Sequence, residues 1–124
     1  MNNIDIIEIN IDEFKDNIYN KYIKLFPEDE QRNWKKIEAT YNKGIEKFYK
    51  IILDNKIIGF FMLEKLNNYP FYLDYFAIFK EYQHLGYGTK AIKMLIDKIG
   101  SISTINNKLL YSGIKPVFDT APNI

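Results

Sequence analysis

One segment decides the fold: Leu73-Asp74-Tyr75-Phe76-Ala77-Ile78-Phe79-Lys80-Glu81-Tyr82-Gln83-His84-Leu85-Gly86-Tyr87-Gly88-Thr89. Residues Phe71 to Phe79 are apolar almost throughout, which predicts a central strand that is covered on both faces. Residues Gly86 to Ile99 have apolar positions at helical spacing, with lysines on the opposite side. The segment therefore predicts a buried strand, a short turn and the first turn of an amphipathic helix.

The turn has the features of a phosphate-binding site made from the main chain. The first amides of a helix have no partner within it, and the helix dipole places partial positive charge there. Gly86 and Gly88 let a ligand approach the backbone closely. This site requires the main-chain N–H groups between Gln83 and Thr89 to be unbonded within the protein. A purely geometric role of the two glycines is the alternative, because neither the dinucleotide fingerprint nor the Walker loop is matched.

Before this segment, the sequence predicts one strand and two helices. Ile4 to Ile9 is a short β-type run, and Asn10 with Glu13 three residues later resembles a capping box. The first helix is expected to run from there to Pro27. Pro27 is expected to open a second helix, which Gly44 ends.

Next come two strands, Phe48 to Leu53 and Lys56 to Lys65, joined by the turn formers Asp54-Asn55. A last strand is expected at Lys108 to Tyr111, and residues 113–124 are expected to form a loop or disordered tail. A crossover helix makes the strands that it joins parallel. The prediction is one domain over residues 1–124: an α/β fold (an α+β sandwich) with a mixed, mostly antiparallel sheet, N-terminal helices and a central crossover helix.

Composition restricts the function. A net charge of +1 over 124 residues provides no long-range attraction to nucleic acid or to a membrane, so neither is an expected partner. There is no cysteine and a single histidine, His84, so no metal site is expected. The N-terminus lacks the basic and apolar regions of a signal peptide, so a cytoplasmic location is expected.

The pattern Gln83-x-x-Gly86-x-Gly88, preceded by Ala77-Ile78, resembles the acetyl-CoA motif of the GNAT N-acetyltransferases. The resemblance extends over the order of elements from Ile4 to about Tyr111. It implies a GNAT-like fold and transfer of an acetyl group from acetyl-CoA to a primary amine.

The resemblance also implies a cofactor site. The amides of the turn would hold the pyrophosphate. The edge of the strand Phe71 to Phe79, which we call the motif strand, would pair with the pantetheine arm like an added strand. The Ile78 amide would stabilise the negative charge that develops on the thioester oxygen. The implied cofactor-binding residues are Phe76, Ala77, Ile78, Gln83, His84, Leu85, Gly86, Tyr87, Gly88 and Thr89.

Acetyl transfer to an amine needs a base, because an amine with a pKa near 10 must lose a proton before it attacks. Asp74, on the motif strand, is the first candidate, and a structural aspartate at a strand or hairpin end is the alternative. Glu64 is the second candidate. The alternative for Glu64 is an exposed carboxylate at a strand end that has no catalytic role. The absence of cysteine fits direct transfer without an acyl-enzyme.

The chain departs from the family pattern after its expected last strand. The resemblance implies a further helix and a final hairpin there, and the sequence has no helical pattern after Tyr111. We therefore expect a domain that lacks its C-terminal part, with an uncovered strand edge that favours a homodimer. An acetyl-CoA-binding module without catalytic competence is the alternative function. The acceptor is an amine of a small molecule or a peptide, and the sequence does not choose between them.

Overall fold

The computed structural model describes residues 3–65, 71–100 and 102–104. Five strands form one sheet in the order β1-β2-β3-β4-β5, with bounds Ile4–Ile9, Glu46–Leu53, Lys56–Glu64, Phe71–Ile78 and Ile102–Thr104. The α-helices are α1 (Ile11–Asn17), α2 (Tyr19–Leu25), α3 (Trp34–Asn42) and α4 (Tyr87–Ile99), and short 3₁₀ turns occupy Glu28–Glu30 and Lys80–Tyr82.

The sheet has the predicted mixed topology. Strands β1 to β4 are antiparallel neighbours, and α4 crosses over to β5, which pairs with β4 in parallel. The β2–β3 hairpin turns at Asp54 and Asn55, whose φ angles of 49° and 70° are those of a type I′ turn.

Helices cover both faces of the sheet. On one face, α4 covers a core in which Phe61 and Phe76 stack with ring centroids 4.8 Å apart. On the other face, the N-terminal helices pack on a second core, where Phe14 and Phe48 stack at 4.2 Å. The arrangement confirms the α+β sandwich. Within the described ranges, no helix has the length and hydrophobicity needed to cross a bilayer.

The N-terminal helices differ from the prediction in their bounds. The expected single helix up to Pro27 is broken at Ile18, where φ is −124°. A straight helix would rotate Phe14 and Tyr22, eight residues apart, by roughly 80° relative to each other. The break allows both of these side chains and Ile18 to be fully buried.

The second helix begins later than predicted. Pro27 opens only a 3₁₀ turn, and α3 starts at Trp34 because the Asn33 side chain accepts a hydrogen bond from the Lys36 N–H at 2.9 Å. Gln31 in the intervening loop donates to the Phe26 carbonyl at 2.7 Å, which stabilises the end of α2.

Two strand predictions also change. β2 begins at Glu46 rather than Phe48, so Glu46 is a buried residue of the sheet. The parallel strand next to β4 is Ile102–Thr104. The strand expected at Lys108 to Tyr111 and the tail expected at 113–124 lie outside the described residues.

Gly59 allows β3 to lie close to the motif strand. A Cβ atom at this position would be 2.3 Å from the Ala77 carbonyl oxygen, which is too close for any substituent unless the backbone moves. Gly59→Ala is therefore expected to lower the free energy of unfolding by about 3 kcal/mol, measured by urea denaturation. An alanine normally stabilises a strand relative to glycine by roughly 0.5–1 kcal/mol, so an unchanged or raised stability would contradict this contact.

Candidate active site

The turn after β4 presents unbonded main-chain amides. Within the part of the chain that the structure describes, the amides of His84, Leu85, Gly86, Gly88 and Thr89 donate to no protein acceptor. Gly86 is the N-cap of α4 with φ +87°, and His84 has φ +65°. A left-handed residue next to a helical one, as Gly86 is next to the first residue of α4, can turn successive amides toward one side, as in backbone nests that bind anions.

The space over this turn is open. His84, Leu85, Gly86 and Thr89 are exposed, and Leu85 is a large apolar side chain with 63% exposure. A Cβ atom at Gly86 would meet nothing within 4 Å. An anion therefore has room to reach these amides.

Gln83, Tyr87 and Gly88 are buried and hold the turn from inside. The Gln83 side chain donates from Nε2 to the Ile78 carbonyl at 2.8 Å, and its own N–H donates to the Lys80 carbonyl at 3.3 Å. The expectation of an unbonded amide is therefore wrong at Gln83. Its side chain links the turn to the end of β4, and a direct contact with a cofactor stays a prediction.

Within residues 3–65, 71–100 and 102–104, the edge of β4 beside Phe76, Ala77 and Ile78 is open. Among the described residues, β5 pairs only with Phe71–Leu73, so the rest of β4 has no partner on that side. Phe79 N–H donates to Ile58 O at 2.7 Å, which makes these two residues a hydrogen-bonded pair of the β3–β4 ladder.

The orientation of the Ile78 amide follows from this pairing. Gly59 and Ile78 form the next pair, which is a non-hydrogen-bonded one. The N–H and C=O of Ile78 therefore point away from β3, toward the open edge. Its carbonyl accepts the Gln83 side chain there. The Ile78 N–H is left facing the open edge.

A β-bulge sets the position of Asp74. Met62 pairs with Tyr75 and Leu63 pairs with Leu73, so Asp74 is the additional residue on β4. A bulge changes the direction of a side chain. Here it leaves the Asp74 carboxylate 96% buried on the side of the N-terminal helices, 2.8 Å from Nη2 of Arg32.

Arg32 joins Asp74 to two further carboxylates. Its Nη1 lies 2.8 Å from Oε1 of Glu46 and 3.7 Å from Oε1 of Glu64, and its Nη2 donates to Oε2 of Glu46 at 3.0 Å. Glu46, Glu64 and Asp74 each have a carboxylate oxygen within 4.8 Å of the others. We call these four residues the Arg32 cluster. The two base candidates are thus close together, and the guanidinium lies where a bound cation would have to sit.

The cluster holds more negative than positive charge. Burial raises the pKa of Asp74 to about 7, the Arg32 charge opposes this rise, and the Glu64 carboxylate adds to it. Burial also raises the pKa of Glu46. Burial alone would lower the pKa of Arg32, but the hydrogen bond and charge of Glu46 raise it above its usual range. Because three carboxylates share one guanidinium, the charge of Arg32 offsets only part of the free-energy cost of ionising the buried Asp74.

Sequence reasoning found Asp74 and Glu64 and missed Arg32 and Glu46. A signal was present, since Arg32 is the one arginine among 17 basic residues of the chain. Arginine forms bidentate pairs with carboxylates that lysine cannot form. An isolated arginine in a lysine-rich sequence therefore indicates a specific ion pair.

Comparisons with known proteins place the chain in a family. Residues 11–109 match the acetyltransferase (GNAT) family. No curated protein matches the chain in sequence.

Solved structures share the fold. The structure is similar to a ribosomal-protein-alanine N-acetyltransferase from Brucella melitensis biovar Abortus 2308, with a TM-score of 0.62, 14% identity and coverage of 84% of this chain and 79% of that chain. A GNAT family acetyltransferase from Staphylococcus aureus has a TM-score of 0.61, 22% identity and coverage of 84% and 86%.

A third similar structure is an aminoglycoside acetyltransferase from an uncultured soil metagenomic sample, in complex with sisomicin. Its TM-score is 0.54 at 17% identity, with coverage of 95% of this chain and 82% of that chain. At these identities the structures show the fold alone, whereas the family match spans most of the sequence. The chain belongs to the GNAT family of acetyltransferases, which use acetyl-CoA as the acetyl donor.

Proposed function

We propose that the chain transfers an acetyl group from acetyl-CoA directly to a primary amine of a small molecule or a peptide. The observation that carries the proposal is the continuity of the open β4 edge with the unbonded amides of the following turn. The edge offers an extended ligand a strand to pair with, and the turn offers its diphosphate a set of donors.

At the donor end, the residues of this chain bind and orient. When bound, acetyl-CoA supplies an activated acetyl group. We assign the amides of His84, Leu85, Gly86, Gly88 and Thr89 to its diphosphate as donors. We assign the edge from Phe76 to Ile78 to its pantetheine arm. The Ile78 N–H, which faces the open edge, is the donor that we assign to the oxygen on which negative charge develops.

At the acceptor end, the residues of this chain handle the proton. We assign Asp74, next to Glu64, as the group that takes it from the acceptor amine, because a base with a pKa near 7 suits this task. Asp74 lies four residues before Ile78 on β4, which corresponds to roughly 13 Å along a strand. A proton from an amine beside Ile78 would therefore reach Asp74 through water.

The similar structures support both classes of acceptor amine. One is a ribosomal-protein-alanine N-acetyltransferase, whose name specifies a protein acceptor, and another was solved with the aminoglycoside sisomicin. The excess of negative over positive charge in the Arg32 cluster, where Glu64 is partly exposed, suits an amine that approaches as an ammonium ion.

The test combines binding and turnover. Calorimetry with acetyl-CoA is expected to show saturable binding at concentrations below about 1 mM, within the range of common enzyme–substrate affinities. Release of free thiol is then followed with a panel of peptide and small-molecule amines. The absence of binding would overturn the proposal. Binding without thiol release from any amine would favour a cofactor-binding module.

A further inference from the structure

The backbone of Arg32 is fixed by a hydrogen bond as well as by the contacts of its side chain. Its N–H donates to the Tyr22 hydroxyl at 2.7 Å, in the loop between the 3₁₀ turn Glu28–Glu30 and α3. Its guanidinium lies over the Tyr75 ring, 5.7 Å from the centroid. Tyr75 in turn donates from its hydroxyl to the Glu30 carbonyl in the same segment.

The guanidinium holds its carboxylates unequally. Glu46 receives hydrogen bonds from Arg32 at 3.0 Å and from the Thr40 hydroxyl at 3.2 Å. Asp74 Oδ2 lies 2.8 Å from Nη2 of Arg32, yet no donor is aligned with it. Glu46 therefore anchors the arginine, and the arginine acts on Asp74 through its charge and proximity rather than through a directed hydrogen bond.

The groups that face Asp74 come from every element packed around it. They are Arg32 from the loop, Glu46 from β2, Glu64 from β3 and the Tyr75 hydroxyl on β4. The Tyr22 hydroxyl on α2 contacts the Arg32 N–H instead. Arg32 is the one cation of this set. Without it, no other ion pair recorded among the described residues would supply a counter-charge to the three carboxylates, which lie within 4.8 Å of one another.

We propose that Arg32 is a positioning residue for acetyl transfer: its guanidinium, anchored on Glu46, holds the Asp74 carboxyl at the bulge of β4 and keeps it able to accept a proton at neutral pH. The inference rests on the proposed function, in which Asp74 is the base. It assigns to the single arginine of the chain a role in the reaction as well as in the fold.

The test compares Arg32→Gln with Arg32→Lys. In Arg32→Gln the loss of the cation makes Asp74 harder to ionise, so the acid limb of the kcat–pH profile is expected to move up by at least one pH unit. Arg32→Lys keeps the charge, so its limb is expected to stay within about half a unit of the wild type. Its kcat is expected to fall about tenfold, because one ammonium cannot contact Glu46 and Asp74 together as the planar fork does.

A measurement without turnover separates this inference from the proposed function. The Asp74 carboxyl is titrated by NMR in ¹³C-labelled protein, and Arg32→Gln is expected to move its midpoint upward by at least one unit. An active Arg32→Gln variant with an unmoved limb and an unmoved midpoint would overturn the inference. If Arg32→Gln does not fold, a kcat of Arg32→Lys equal to that of the wild type would overturn the inference. Full activity of Asp74→Asn would instead overturn the assignment of the base, whatever the NMR midpoint.

Discussion

Thr89→Glu is expected to weaken acetyl-CoA binding by roughly 30-fold or more while leaving the fold at least as stable. Thr89 is the exposed third residue of α4, after the N-cap Gly86. A glutamate at this position can reach back to the N-cap amide, as in a capping box, and it interacts favourably with the helix dipole. The same carboxylate would accept a hydrogen bond from the Gly86 N–H, which we assign to the diphosphate as a donor.

The size of the effect follows from charge repulsion. Two unit charges about 4 Å apart near a protein surface interact by about 4 kcal/mol, and solvent and salt reduce this value. A remaining cost of about 2–3 kcal/mol corresponds to a loss of affinity of roughly 30- to 150-fold. Calorimetry with acetyl-CoA measures the affinity, and urea denaturation measures the stability.

Two variants serve as controls for Thr89→Glu. Thr89→Gln has the same size without the charge and is expected to lose less affinity. Asn20→Glu adds the same charge at an exposed position on α2 and is expected to leave the affinity unchanged. Equal affinity of Thr89→Glu and the wild type would show that the diphosphate does not bind at the start of α4.

The motif strand and its turn were predictable because their signals are local. The apolar run of β4, the two glycines and the helical spacing after them lie within 30 consecutive residues. The structure places the strand at Phe71–Ile78 and the helix at Tyr87–Ile99, each within one residue of the prediction. The bonded Gln83 amide was not predictable, because it depends on the 3₁₀ turn that follows the strand.

The Arg32 cluster was not predictable, because it depends on long-range register. Arg32 and Asp74 are 42 positions apart in the sequence, and they meet only because β2 begins at Glu46 and β4 is bulged at Asp74. A strand without the bulge would direct Asp74 to the other face of the sheet, because side chains alternate along a strand. No local pattern marks this bulge. The cytoplasmic location, the homodimer and the absence of nucleic-acid or membrane partners stay predictions.

Asp74→Asn is expected to lower kcat by roughly 100- to 10,000-fold, the usual effect of a general base. The wild-type profile should rise with pH to a plateau that begins near the pKa of Asp74, about 7. The variant should lack this limb, because asparagine at position 74 has no ionisable group. A stopped assay of thiol release from pH 5 to 9, at saturating acceptor, measures both effects.

The same substitution is expected to stabilise the fold. Burial raises the pKa of Asp74 from 3.8 to about 7, so the folded state holds its proton more tightly than the unfolded chain does. The contribution of Asp74 to stability is therefore most favourable below about pH 4 and is lost as the pH rises to about 7. A shift of about three units corresponds to about 4 kcal/mol at neutral pH. The gain of Asp74→Asn over the wild type should thus grow between pH 4 and 7 and then level off.

The opposite signs of these two effects distinguish a catalytic aspartate from a structural one. A purely structural partner of Arg32 would lose stability when it is replaced, because removing one member of a buried ion pair leaves the other uncompensated. Here Arg32 keeps Glu46 and Glu64, and the net charge of the Arg32 cluster changes from −2 to −1 when all its groups are ionised. Asp97→Asn, the same change on the exposed side of α4, is expected to alter stability by less than about 0.5 kcal/mol and activity not at all. A less stable but fully active Asp74→Asn would make Asp74 a structural residue, and Glu64 would then be the remaining base candidate.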